Sequence, residues 1–259
     1  MSEMTKIEKN LAGVKRRWLV MSGKGGVGKS TVTAQLAVRL AAKGWKVGVL
    51  DADMHGPSQS GIFGMRGQQH TAVGDRIQPF THGPNVKVVT MQGLLNTPDE
   101  ALIWRGPLKI GLLQQLLGDT DWGKLDVLLM DSPPGTGDEP LTLVQDVPQC
   151  EGIVVTTPQE VSLADVRKSL NFAATVKLPL RGLIENMSGF ICPDCGHCHY
   201  PFGQGGGEKL AAEKKLSFLG ALPLDPLVML GGDQGLPDQA ASPACEEAWE
   251  RVLANLMQK

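Results

Sequence analysis

A chain of 259 residues, 42% of them hydrophobic, can bury a sizeable core as one large α/β domain or two small ones. Lys and Arg number 25 against 27 Asp and Glu, giving a net charge of −2 and a pI near 6.2, so no global basic field points to nucleic acid. Five cysteines, three of them in one tight group, do not read as a disulfide framework; the first fifteen residues lack the apolar core of a secretion signal, and no stretch approaches the roughly 18 apolar residues of a membrane span. The expectation is a protein of the reducing cytoplasm with neither a nucleic-acid nor a membrane partner.

Residues 1–15 mix both charges and are expected to form a flexible tail, with residues 16–259 as a single domain. The apolar run Trp18 to Met21 leads into Gly23-Lys24-Gly25-Gly26-Val27-Gly28-Lys29-Ser30-Thr31, and an Ala/Leu/Val-rich helical run follows to Ala42. This is G-x-x-x-x-G-K-[ST] in its required strand–loop–helix setting. Glycines let backbone N–H groups approach a phosphate with no Cβ in the way, and the helix start adds unpaired donors. Lys29 is assigned to the β/γ-phosphates of ATP and the Ser30 hydroxyl to Mg²⁺. Lys24 is a second lysine that the general pattern does not require. Two like charges this close cost energy unless an anion lies between them, so it is either solvated or directed at a phosphate.

Gly44 stops the helix, and Trp45–Leu50 is a β-rich run that closes on Asp51-Ala52-Asp53, completing a βαβ unit with a right-handed crossover. Carboxylates at i and i+2 share a face at the carboxyl edge of the sheet, where open α/β folds bind ligands. Asp53 is read as orienting the attacking water and contacting the metal's water shell; capping and turn chemistry is the competing reading for Asp51. His55 to about Pro84 is polar enough to read as a surface excursion, and Val86–Met91 as a strand. Trp104-Arg105-Gly106-Pro107 opens a helix to about Leu117, with Arg105 either an arginine finger or an ordinary interface residue.

Leu125–Met130 is an apolar strand delivering Asp131, in the manner of a Walker B acid on Mg²⁺. In Gly135-Thr136-Gly137, backbone N–H groups can approach a γ-phosphate and move when it leaves. Further strands are expected over Gly152–Thr157, Leu180–Glu185 and Ser217–Leu222, with helices near Leu163–Val176 and Gly207–Lys214. Ser242–Gln258 is an amphipathic helix with Ala244, Ala248, Trp249 and Leu253 on one face. Glu246, Glu247 and Glu250 argue for packing on the sheet over an anionic membrane. The fold class is therefore α/β, a doubly wound and mostly parallel sheet with helices on both faces.

Cys192-Pro193-Asp194-Cys195-Gly196-His197-Cys198-His199 has metal-ligand spacing. A structural zinc site would use Cys192, Cys195, Cys198 and a histidine. A redox dithiol would normally open a helix, which the Pro/Gly/His surroundings oppose. A 4Fe–4S cluster needs four thiolates, two from each chain of a twofold dimer. Cys150 and Cys245 read as buried small apolar residues.

Taken together, the loop with its extra Lys24, Asp51-Ala-Asp53 followed by Gly-Pro-Ser, Trp104-Arg-Gly-Pro, Asp131-Ser-Pro-Pro-Gly-Thr-Gly-Asp138, Glu185-Asn-Met-Ser, Cys192-Pro-x-Cys195-Gly and Phe202-Gly with Gly-Gly-x-Glu-Lys-Leu resemble the Mrp/ApbC-type iron–sulfur cluster carrier ATPases, over roughly residues 16 to 240. These belong to the deviant phosphate-loop class that also holds the division- and partition-site ATPases. The resemblance implies an ATP-binding homodimer in which Lys24 reaches the partner's nucleotide. It implies a labile 4Fe–4S cluster shared between Cys192 and Cys195 of both subunits and delivered to apo-proteins. It also implies adenine contacts from Asn186 and Pro223. Cys198 is not one of the family's paired ligands, and the small domain that many relatives carry ahead of the loop has no counterpart here. The competing function is a MinD/ParA-like positioning ATPase with a structural zinc.

Overall fold

A computed structural model describes residues 4–54, 56–94, 106–193 and 195–258. From the N-terminus, α1 (Lys6–Asn10) leads to β1 (Arg17–Ser22), α2 (Lys29–Ala42), β2 (Val47–Asp51) and the short α3 (Gln59–Ile62). A hairpin of β3 (Ala72–Val73) and β4 (Arg76–Ile77) precedes β5 (Phe80–His82) and β6 (Val86–Thr90). Next come α4 (Gly106–Asp119), β7 (Val127–Asp131), α5 (Asp138–Asp146), β8 (Cys150–Thr156), α6 (Glu160–Thr175) and β9 (Leu180–Glu185). The hairpin β10 (Phe190–Ile191) and β11 (Cys198–His199), then α7 (Gly206–Glu213), β12 (Phe218–Ala221), α8 (Pro226–Asp233) and α9 (Pro243–Met257), complete the order.

One large sheet runs β12-β9-β8-β1-β7-β2-β6-β5, parallel throughout except for the antiparallel edge pair β5/β6. Strands β1, β2 and β7 are buried along their whole length, as strands covered on both faces must be. Alternation along β1 divides the core. Trp18 and Val20 join Val32, Leu36 and Leu40 of α2 and Trp249, Val252 and Leu256 of α9. Leu19 and Met21 face the opposite layer, with Leu113 and Leu117 of α4, Leu143 of α5, Val166 and Leu170 of α6 and Leu210 of α7. The doubly wound expectation is met. The register aligns Asp51 with Asp131 and Val20 with Asp131, so the ends of β1, β2 and β7 meet at one carboxyl edge.

Two local expectations need correction, and a third, the packing of the last helix on the sheet, is met. Residues 5–14 are not a flexible tail. Thr5 and Glu8 form a reciprocal capping box on α1, with Thr5 Oγ1 accepting from the Glu8 N–H at 3.1 Å and Glu8 Oε2 accepting from the Thr5 N–H at 2.7 Å. Ile7, Leu11 and Val14 are buried, and the Asn10 amide donates to the carbonyls of Leu117 and Thr120 at the end of α4. The 55–84 excursion is only partly surface, because Phe63, Met65 and Ile77 enter the core. Finally, α9 lies on the sheet with Cys245, Ala248, Trp249, Val252, Leu253 and Leu256 buried, whereas Ala244 is only half-buried. Fully burying a Val or Leu side chain is worth about 1.5–3 kcal/mol, which fixes the helix there. Two ion pairs to α2 flank it, Arg39–Glu246 and the exposed Lys43–Glu250.

Candidate nucleotide site and cysteine hairpin

The loop between β1 and α2 needs glycine for conformation and for space. Gly26 and Gly28 have φ of 80° and 81°, in the left-handed region. A Cβ on Gly28 would also collide with the Asn186 side chain, whose Nδ2 donates to the Val27 carbonyl at 2.9 Å. The loop encloses a cradle of about 290 Å³, lined by the run from Lys24 to Thr31 together with Asp53, Ser58 and Pro134. Lys24, Lys29, Ser30, Thr31 and Asp53 are thus brought together as the sequence predicts. Lys29 is only 7% exposed and ion-pairs with Asp131, which is fully buried. One of its three N–H donors is on that carboxylate, which leaves the others for a phosphate in the cradle.

The two aspartates after β2 divide their work. Asp51 is fully buried and accepts the backbone N–H groups of Asp53 (3.2 Å), Ser58 (2.9 Å) and Gln59 (2.9 Å), so it performs the capping and turn chemistry. Burial first, and then the Asp131 charge alongside, raise its carboxyl to about 7. Asp53 instead lines the cradle, accepting the Gly56 N–H at 3.2 Å. Gly135 has φ 88°, but its N–H donates to the Ser22 carbonyl at 3.0 Å. That donor is already engaged, and it is Pro134 of the same turn that reaches the cradle.

A second cleft of about 410 Å³ continues from the cradle through the shared residues Gly28, Thr31, Ser58 and Ile62. Asn186 and Pro223 stand on its wall with Leu222, Val228 and Trp249, which gives a planar heterocycle apolar faces and a polar edge. The base-side and phosphate-side residues named from the sequence therefore share one continuous groove.

The cysteines sit on the hairpin of β10 and β11. The Cys192 N–H donates to the His197 carbonyl at 3.0 Å and the Gly196 N–H to the Cys192 carbonyl at 2.9 Å, so Gly196 and His197 turn back onto Cys192. Cys195 is exposed at this turn and Cys192 half-buried, while Cys198 lies on the returning strand opposite Ile191. The rings of His197 and His199 meet edge to face at 4.7 Å. Among the described residues no three His, Cys, Asp or Glu side chains gather as a metal site. Burial pushes the thiols of Cys150 and Cys245 up to about 12, which agrees with their reading as packing residues. Between hairpin and core lies an apolar cleft of about 590 Å³ that includes Cys192, and Pro223, Leu224 and Asp225 form the wall it shares with the cleft of Asn186 and Trp249.

Three contributors escaped the sequence. Gln59 bridges Ser30 and Asp131. Buried Glu185 accepts the N–H groups of Gly205 and Gly207 and the Ser188 hydroxyl, tying the start of α7 to the end of β9. Pro134 closes the cradle. Only Glu185 carried a signal, since an acid at the end of an apolar strand needs donors when it is buried. Trp104 and Arg105, and with them the arginine-finger reading, lie outside the described residues, as do His55 and Asp194.

Residues 13–259 match the model of the ParA family, described as NUBPL iron-transfer P-loop NTPase. An iron-sulfur cluster carrier protein of Methanocaldococcus jannaschii is 44% identical over 98% of this chain and 88% of its own length. The cytosolic Fe-S cluster assembly factor NUBP2 of Bos taurus is 43% identical over 95% of this chain and 94% of its own. A nucleotide-binding protein from Archaeoglobus fulgidus, solved in complex with ADP, superimposes with a TM-score of 0.82 at 39% identity, covering 95% of this chain and 97% of the other. The cell division ATPase MinD of Pyrococcus furiosus shares the fold, with a TM-score of 0.67 at 24% identity. With the phosphate loop, its two strand-end acids and the cysteine hairpin in place, the chain belongs to the ParA-type, NUBPL iron-transfer family of P-loop NTPases.

Proposed function

We propose that this chain is an ATP-dependent iron–sulfur cluster carrier of the cytoplasm. As a homodimer it binds and slowly hydrolyses Mg²⁺-ATP, holds a labile 4Fe–4S cluster as cargo, and hands it to apo-proteins. The observation that carries the reading is the wall Pro223–Asp225, shared between the base cleft and the cleft beneath the cysteine hairpin. The names of the relatives and the ADP complex of the Archaeoglobus protein support both halves.

Each chain offers Cys192 and Cys195 on one hairpin, and a twofold axis doubles them to the four thiolates of an ordinary cluster. Ser30 and Asp53 line the cradle and Asp131 ends β7 behind it; their hydroxyl and carboxylate oxygens suit a hard cation such as Mg²⁺. It would supply neutralisation of charge on the β- and γ-phosphate oxygens. Water attacks the γ-phosphorus as the bond to the β–γ bridging oxygen breaks, yielding ADP and phosphate. Asp53 orients that water, Lys29 stabilises the charge from within the subunit, and Lys24 does so across the dimer at the partner's nucleotide. Asn186 and Pro223 hold the adenine. Coupling to the cargo requires the two nucleotide states to differ in cluster affinity, typically by about 1–3 kcal/mol.

Lys24→Ala tests the dimer step. It should lose both ATP turnover and cluster transfer. Turnover and transfer at parental rates would overturn the cross-dimer role.

A further inference from the structure

Gln59 is wholly buried at the start of α3, where its backbone N–H donates to Asp51. Its side-chain Nε2 donates to the Ser30 carbonyl at 3.0 Å and to Asp131 Oδ2 at 2.8 Å. A carbonyl and a carboxylate only accept, so the nitrogen must face both and the orientation of the amide is settled by chemistry. Its oxygen, Oε1, is therefore turned the other way. It is buried and has no hydrogen-bond partner among the described residues. A buried amide oxygen without a donor is uncommon in folded proteins and points to a donor that arrives with a ligand.

The chemistry of that donor is narrow. Phosphate oxygens accept, as do the carboxylates of Asp51 and Asp131 and the Ser30 carbonyl. The Lys29 ammonium gives one of its three N–H bonds to Asp131, and the reading above directs the others at the phosphates. Water held by a divalent cation donates, and Mg²⁺ keeps several of its waters when it binds protein.

We infer that Gln59 is a positioning residue of the metal subsite: its amide nitrogen holds Asp131 against Ser30, and its amide oxygen accepts from a water of the Mg²⁺ shell. One residue then links β2 through its backbone N–H to Asp51, and β7 and α2 through its side chain to Asp131 and Ser30. The inference rests on the loop binding Mg²⁺-nucleotide, as proposed above.

The test uses the full chain and two probes, Mn²⁺ binding to the ADP complex followed by EPR, and ADP affinity in EDTA by calorimetry. Gln59→Met keeps the volume and removes both hydrogen-bonding atoms. It should raise the Mn²⁺ concentration for half-saturation by about tenfold or more, the usual cost of removing a partner of a metal ligand, and leave ADP affinity in EDTA unchanged. Gln59→Asn keeps the amide but is one methylene too short to bridge; it reads the same quantity should the methionine variant not fold, with the same result expected. Parental Mn²⁺ affinity in either folded variant would overturn the inference. So would an equal loss of ADP affinity in EDTA, which would make Gln59 a residue of the fold. A parent chain that binds ADP but shows no Mn²⁺ site defeats the metal reading itself, and one that binds neither defeats the nucleotide reading.

Discussion

Lys29 and Asp131 form the most deeply buried ion pair among the described residues, at 7% and 0% exposure. Lys29→Ala removes the ammonium and leaves the carboxylate inside, with only the Gln59 amide and, at 3.4 Å, the Thr33 hydroxyl to receive it. Asp51, in register on the neighbouring strand, adds a second acid. Breaking a buried pair by removing one partner costs about 3–5 kcal/mol. The sign of the pH dependence follows from Asp51, which burial and Asp131 raise from 3.8 to about 7 while Lys29 pulls it down. Without Lys29 it rises further. A carboxyl raised in the folded state contributes fully below its unfolded pKa, and that contribution is lost as pH climbs through the folded one. The deficit of Lys29→Ala should therefore be small near pH 5, where Asp51 holds its proton in the folded chain, and should widen toward pH 8. There it should reach about 3–5 kcal/mol, or a fall in Tm of about 10 °C for a chain of this size. Urea unfolding followed by tryptophan fluorescence at several pH values measures it, since Trp18 and Trp122 are fully buried. A deficit below about 1 kcal/mol at pH 8, or one constant across pH, would refute the reasoning, because a solvated pair contributes no more than that.

Other outcomes follow from the same geometry. Gly28→Ala places a side chain at φ 81° and drives a methyl into the Asn186 amide, so it should cost about 1–3 kcal/mol of stability and abolish ADP binding; calorimetry of ADP checks the second effect. Thr5→Ala removes the capping box of α1 and should cost about 1 kcal/mol in urea unfolding; an unchanged midpoint would mean that α1 is held by Ile7 and Leu11 alone. Iodoacetamide at pH 8 should label exposed Cys195 and leave Cys150 and Cys245, with thiols near 12, unmodified until the chain unfolds, as peptide mass spectrometry would show.

What was legible in the sequence is what local pattern controls. The apolar runs ending in Ser22, Asp51 and Asp131 announce buried parallel strands, and the loop motif fixes the edge at which they end. Asn186 and Pro223 came through family resemblance, and the structure sets them on the same groove as the loop. Gln59 was illegible because its role depends on three elements meeting, and a lone glutamine in a polar stretch has no periodicity to betray it. The missed α1 is a different failure. Thr5-x-x-Glu8 with Ile7, Leu11 and Val14 was a readable helix start, obscured by the mixed charge around it. The Gly135 turn shows a further limit, because the sequence offers its N–H to a phosphate while the fold gives it to Ser22.

The central claim, a cluster bridged by two copies of the Cys192–Cys195 turn, is tested most directly by counting metal. After anaerobic reconstitution with iron and sulfide, iron and zinc per dimer are measured for the parent, Cys192→Ala and Cys198→Ala. The account predicts about four irons per dimer, lost in Cys192→Ala and kept in Cys198→Ala. One zinc per chain, lost in both variants and not displaced by iron, would contradict it and make the hairpin a structural knuckle.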